Sequence, residues 1–440
     1  MYPESSTSIS RGRAALLCLA AALAIAIVAL GYWKRQPQIE VNGGLGWDGR
    51  NYAHMYSSAA GREHAGNEQP AVFPFCKRIG LPLLAAAVPG TNGFRLINIL
   101  SGFVAAFAIF TLALRRVGFV RAAAVTAPLV FYLFAPIRFS NFYPWTVDPP
   151  VMAMMALAVV ALERRWFVAT IALLVIATPF KEICFYFSIV AIACYVLFAV
   201  ERSVMTRAAV SIGALIACVV AASAYKHYYP DCNGSSLRTI VEYGVQLVSD
   251  PWRFFTVVAG ILLTAGPFLF RFRMSAAIES ARLHPALWFG GVSFLLSVAM
   301  AAVGGLDSTR LFFVCYPLVV PVLLFALARL TVGTTVVLAL AGLLINRWLT
   351  SIPQPDSANT DLGSFTGYFV WFPDVANPVV AVLIVVFFFS LYFVLERWNV
   401  ERTIATLARS LQPGFSGLPI LGSLLDCASR LEPQRTEAGE

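Results

Sequence analysis

Charge is what this chain has least of. Only 12% of its 440 residues are Asp, Glu, Lys or Arg, against about 25% in a soluble domain. That shortage excludes an ordinary soluble enzyme and a disordered polymer. Lysine occurs only at Lys34, Lys77, Lys181 and Lys226, and histidine only at His54, His64, His227 and His284. The histidines show no metal-ligand spacing, so no metal site is assigned; the need for a divalent cation is left open and is not indicated. No CxxC pair is present, which removes a zinc or redox motif. No ten-residue alternation of apolar and polar residues is found, which argues against a membrane β-barrel. The net charge is +9, yet no continuous basic stripe exists, so nucleic acid is excluded as a partner.

Apolar residues fill the space that charge leaves. They make up 59% of the chain, and the mean hydropathy is +0.75. At about 20 residues per span, this content supplies about twelve membrane helices. The expectation is an all-α, polytopic transmembrane helical bundle. The runs fall at 14–33, 96–114, 122–139, 147–162, 166–179, 183–200, 208–225, 254–270, 286–303, 311–328, 331–348 and 378–396. The first could be mistaken for a secretion signal. It is followed by Tyr32, Trp33, Lys34 and Arg35 rather than a small-residue cleavage site, so it reads as a retained helix.

Short-loop arginines set the orientation. Arg11 and Arg13 share a side with Arg115, Arg116, Arg121, Arg164, Arg165, Arg202, Arg207, Arg271, Arg273 and Arg282. By the positive-inside rule both termini face the cytoplasm, including residues 1–13 and a tail over 397–440. That tail begins with an amphipathic stretch, Ile404, Leu407, Ala408 and Leu411, that reads as an interfacial helix before a disordered end. The membrane domain, 14–396, then carries three long outer loops at 34–95, 226–253 and 349–377. The third is aromatic, with Phe365, Tyr368, Phe369, Trp371 and Phe372, and suits either the membrane interface or sugar stacking. Work on the outer face of a cell inner (plasma) membrane is the expected setting. Cys76 and Cys232 fall in outer loops, where an oxidising compartment would allow them to pair; their distance is not legible in sequence.

All four lysines and Arg50, Arg78, Arg95, Arg138, Arg238, Arg253, Arg310 and Arg347 land on that outer side, against the topology rule. An outer site for a phosphorylated ligand would need such cations. The first outer loop opens Gly43-Gly44-Leu45-Gly46-Trp47-Asp48-Gly49-Arg50-Asn51-Tyr52. From Asp48 to about Ala60 it suits a short helix, with Asp48, Tyr52 and Tyr56 on one face; Asp48 is also a good helix cap. The loop continues Arg78-Ile79-Gly80-Leu81-Pro82-Leu83, and Arg95 heads the next helix. These basic residues either snorkel or clamp a phosphate. Asp148 stands at the outer start of the 147–162 run, as a cap or a site residue. Lys181-Glu182 lies between two apolar runs, where ionisable residues default to function unless they pair locally. Asp307 and Arg310 share the short loop before the 311–328 run, either as a local i, i+3 pair or as site residues.

An Asp-Gly-x-x-Tyr element after the first helix and an Arg-x-x-x-Pro-Leu element before the second resemble the GT-C superfamily of integral membrane glycosyltransferases. The likeness is to bacterial members related to the mannosyltransferases of glycolipid anchor synthesis. Thr178-Pro179-Phe180-Lys181-Glu182 resembles a Thr-Arg-Glu-like element between later helices, and Arg310 with Tyr316 and Pro317 a fourth. Lys181 stands where Arg is commoner, and no second acidic residue adjoins Asp48, so a metal-binding acidic pair is not carried over. The resemblance implies transfer of a sugar from a polyprenyl-phosphate donor to a lipid, glycan or protein acceptor, usually with inversion, among membrane lipids. It implies Asp48 as base or acceptor-positioning residue. Tyr52, Arg78, Arg95, Asp148, Lys181, Glu182 and Arg310 are the candidate substrate-binding residues. The chemistry agrees: a hydroxyl nucleophile needs a base, and a departing lipid phosphate needs cations.

Two other readings compete. A transporter or flippase of an anionic or lipid-linked substrate would use the same cations with discontinuous helices, which Pro128, Pro136, Pro179 and Pro267 favour. It should also show polar loops on both faces and two related halves, which the chain lacks. A non-catalytic scaffold in envelope polysaccharide assembly would tolerate substitution of Asp48 and Lys181.

Overall fold

The structure, a computed structural model, describes residues 10–35, 38–40, 42–46, 48–88, 92–234, 236–270, 272–304, 308–348 and 378–397, with 406 and 410. Among these residues every regular element is a helix. The first half comprises α1 (Arg11–Arg35), α2 (Gly49–Ala59), a single 3-10 turn at Phe75–Lys77, α3 (Gly80–Ala86), α4 (Gly93–Val117), α5 (Phe119–Phe131), α6 (Pro136–Phe142), α7 (Asp148–Glu163), α8 (Phe167–Ala177) and α9 (Ile183–Phe198). The second comprises α10 (Val204–Ser223), α11 (Tyr225–Tyr228), α12 (Ser236–Ser249), α13 (Pro251–Leu269), α14 (Met274–Ala281), α15 (Pro285–Val303), α16 (Ser308–Val314), α17 (Tyr316–Leu327), α18 (Val332–Trp348) and α19 (Pro378–Arg397).

Among the described residues seven helices are long and apolar enough to cross a bilayer, or eight if the pair α16 and α17, bent by 75°, counts as one. That is fewer than the twelve expected. The runs at 166–179, 183–200 and 331–348 are helices below that length, and 147–162 is the 16-residue α7. The 311–328 run is broken at Cys315, where the chain turns before α17 starts at Tyr316 with Pro317 in its first turn. The aromatic 349–377 loop, Asp307, residues 1–9 and nearly all of the tail lie outside the described residues.

Large apolar side chains point outward along several helices. On α1 Leu16 and Ile27 are each 68% exposed, and on α19 Phe393 is 70% exposed. Such a surface is costly in water and neutral in hydrocarbon. The apolar helices and this outer shell suit a multi-pass membrane protein.

The helices bury a large common core, in which α4 lies between α5 and α7, and α13 lies against α16, α18 and α19. A second, smaller core belongs to the first loop. Tyr52, Met55 and Tyr56 of α2 pack with Ile79, Leu81 and Ala85, and with Phe94, Val147 and Tyr225. The loop is therefore a folded cap, not a loose connection. Cys76 and Cys232 form a disulfide that ties this cap to the segment after α11, across 156 residues of sequence.

Paired charges mark the two ends of the bundle. Arg116 meets Glu163 at the C-terminal ends of α4 and α7, and Arg121 donates to the Leu330 carbonyl at 2.5 Å. The cap and the N-termini of α4, α7 and α9 lie at the other end.

Candidate functional site

The turn over 42–46 runs through left-handed backbone at Asn42, Gly43, Gly44 and Gly46, and delivers Asp48 to the head of α2. There the Gly49 N–H donates to the Tyr143 hydroxyl at 2.7 Å. A Cβ on Gly49 would lie 2.6 Å from the Trp145 Cβ, so only glycine permits this approach. Gly80 plays the same part on the next helix. Its N–H donates to the Pro179 carbonyl at 2.9 Å, and a Cβ would meet the Phe180 ring at 2.5 Å. These two contacts join the cap to the segments that carry Asp148 and Lys181.

Three carboxylates and three cations converge here. Asp148, at the first residue of α7, accepts from Lys181 Nζ at 2.5 Å and from Arg310 Nε at 2.6 Å. Arg310 Nη2 also donates to the Thr146 hydroxyl at 3.2 Å, and its guanidinium lies 5.5 Å from the centre of the Phe139 ring. Arg78 grips Glu182 bidentately, at 2.9 and 2.6 Å, and donates to the Tyr52 hydroxyl at 3.0 Å. Burial pushes the Tyr52 phenol well up, so its proton is retained.

Asp48 differs from the other two acids. The difference lies in its partners, not its exposure: among the described residues it faces only Arg310 Nη1, at 3.9 Å, with a side chain 26% exposed against 8% for Asp148 and 33% for Glu182. It makes no side-chain bond to its own helix, so it does not serve as a cap. Arg310 thus bridges a fully engaged carboxylate and a loosely held one.

Seven of the eight sequence candidates meet in this cluster: Asp48, Tyr52, Arg78, Asp148, Lys181, Glu182 and Arg310. Arg95 does not. It donates to the Trp33 carbonyl at 2.6 Å and to Asn141 Oδ1, and stacks over the Trp33 ring at 4.1 Å. It fastens α1 and α6 to α4. Other outer-side cations are also structural: Arg138 donates to the Phe131 carbonyl and Arg253 to the Ala302 carbonyl. Lys181 and Glu182 do not pair with each other; each reaches a partner from another element.

Sequence reasoning misses Tyr143, Thr146 and Phe139, which support Gly49 and Arg310. Their signal is the aromatic and polar interruption before Asp148. Beside the Arg78–Glu182 pair a cavity of about 150 Å³ is lined by Lys77, Thr178, Glu182, Phe185, Tyr186 and Ala222. Its mixed charged and aromatic lining suits an amphiphile with a polar head.

Comparisons with family models, curated proteins and solved structures find no match to this chain.

Proposed function

We propose that this protein is a membrane glycosyltransferase that moves a sugar from a polyprenyl-phosphate donor to a lipid, glycan or protein acceptor. It works on the outer face of an inner (plasma) membrane, within a GT-C-like bundle of about twelve spans with both termini cytoplasmic. One observation carries the reading. Of three acids in the cluster, Asp148 and Glu182 are each bound by a close cation, at 2.5 and 2.6 Å, whereas among the described residues Asp48 has only a shared arginine, at 3.9 Å. A base must be reachable and not already committed.

In the proposed step an acceptor hydroxyl attacks the anomeric carbon as Asp48 takes its proton. The bond from that carbon to the phosphate oxygen breaks, and its electron pair leaves with the lipid phosphate. Arg310 stands next to Asp48 to stabilise that developing charge. Arg78 and Tyr52 hold α2 in register with α9. The Cys76–Cys232 disulfide supports an oxidising side for this end.

The protein in lipid, incubated with a panel of polyprenyl-phosphate sugars and acceptors, should release carrier phosphate. Asp48→Asn should lower the rate by about 10²–10⁴-fold with the fold intact. Undiminished release in the variant would remove Asp48 as base. The bend of 75° between α16 and α17 favours a second reading, a transporter or flippase with a discontinuous helix. Substrate flux across sealed vesicles without phosphate release would select it.

A further inference from the structure

The four histidines are dispersed in sequence, yet two of them stack in space. The His54 and His64 rings lie 4.0 Å apart at 19°. His64 Nδ1 is 2.7 Å from Glu68 Oε2. One ligand atom from each of His54, His64 and Glu68 can be chosen so that all lie within 4.8 Å of one another.

The backbone builds this meeting. After α2 the chain reverses at Gly61, which takes a left-handed φ of +63°. The returning segment is then pinned to α2. Arg50 Nε donates to the Asn67 carbonyl at 3.0 Å, the Gln69 N–H to the Arg50 carbonyl at 3.3 Å, and the Val72 N–H to Asn51 Oδ1 at 3.2 Å. Glu68 is oriented through its other oxygen, which accepts from the Ser57 hydroxyl at 2.8 Å. Such a hydrogen bond to a carboxylate is the outer-shell support that metal ligands commonly carry. The nearby arginines are engaged elsewhere, Arg50 on Asn67 and Arg62 over the Tyr56 ring at 5.1 Å.

We propose that His54, His64 and Glu68 bind one divalent transition-metal ion of the zinc class, which fastens the 61–68 return to α2. Two imidazoles and one carboxylate favour such an ion over magnesium or calcium, which prefer oxygen alone. A tetrahedral ion with bonds of about 2.0–2.2 Å holds its ligand atoms roughly 3.3–3.6 Å apart. Reaching that requires the His64 ring to turn out of its parallel stack on His54, so that the in-plane lone pairs converge, and to open its 2.7 Å approach to Glu68. The His64 side chain, 43% exposed, has room for it. Three protein ligands leave the fourth position to water. The site is distinct from the carboxylate cluster: His54 is six residues along α2 from Asp48, about 9 Å of helix.

The experiment uses the full chain, purified through a histidine-free tag in detergent. Co²⁺ is titrated and followed by its visible ligand-field absorption, with Zn²⁺ as competitor. The expected result is saturable uptake of one Co²⁺ per chain, displaced by Zn²⁺ and not by Mg²⁺. His54→Ala, His64→Ala and Glu68→Gln should each weaken binding by at least about tenfold. Asp48→Asn, His227→Ala and His284→Ala should leave it unchanged. As a second readout, metal should slow tryptic cleavage after Arg62 in the wild type and not in His64→Ala. Absence of saturable uptake overturns the proposal, as does uptake that survives in the His54→Ala/His64→Ala double variant.

Discussion

Glu182 shows how one side chain reads its surroundings. Burial alone would raise its carboxyl, but the Arg78 guanidinium outweighs burial and holds it at about 2, against an ordinary 4.5. A depressed carboxyl stabilises the fold above its unfolded value, and that contribution is lost as acid titrates it toward the folded value. The gap in thermal midpoint between the wild type and Glu182→Gln should therefore be constant from pH 8 to about 5. It should shrink between 4.5 and 2, where the wild-type side chain becomes neutral like the glutamine. A gap that closes already near neutral pH would mean that the Arg78–Glu182 pair is not formed. Lys181, the preceding residue, illustrates what sequence reading cannot supply. The motif identifies it as a site residue, but its partner Asp148 is 33 positions away and on another helix.

At the scale of elements, helices are legible because apolar runs in lipid have no other way to satisfy their backbone. α4, expected over 96–114, spans Gly93–Val117, and α2, expected from Asp48 to about Ala60, spans Gly49–Ala59. The break between α16 and α17 is hidden, since the apolar run continues through Cys315 and Tyr316 without a polar signal. α12 is hidden inside a segment that reads as loop. Charged and polar residues are interspersed among its apolar ones, of which Val241, Val245 and Val248 are exposed, so no continuous apolar run marks it. His54 and His64 are hidden for a different reason: a turn, not a helical spacing, brings them together. The close approach at Gly80 yields a prediction. Gly80→Ala sets a methyl against the Phe180 ring and should cost about 1–3 kcal/mol in thermal unfolding. It should also part Arg78 from Glu182, so that the gap to Glu182→Gln no longer varies with pH. A neutral outcome in both would show that the cap tolerates separation from α9.

For the molecule as a whole, the two charged ends make a prediction about sidedness. Arg62 in the cap and Arg202 between α9 and α10 are both exposed, and they lie at opposite ends of the bundle. Trypsin added to sealed, right-side-out membranes should cut after Arg62 and spare Arg202 until the membranes are opened. The reverse pattern would invert the proposed topology and place the Asp48 cluster on the cytoplasmic side.

The arrangement of Arg310 has a bearing on how the chain is made. Translation runs from Asp48 through Arg78, Asp148 and Lys181 to Glu182, so three acids are finished when only two of their cations exist. Arg310 is added after α10 to α15 have been synthesised. Until then Asp148 has Lys181 as its sole counter-ion among the six groups, and the half-made assembly carries one surplus negative charge. Nascent chains halted before α16 would hold α2 beside α7 against that repulsion. Arrival of the α16–α17 elbow thus brings the six charges to balance, so that a late segment of the polypeptide completes the electrostatics of an early one.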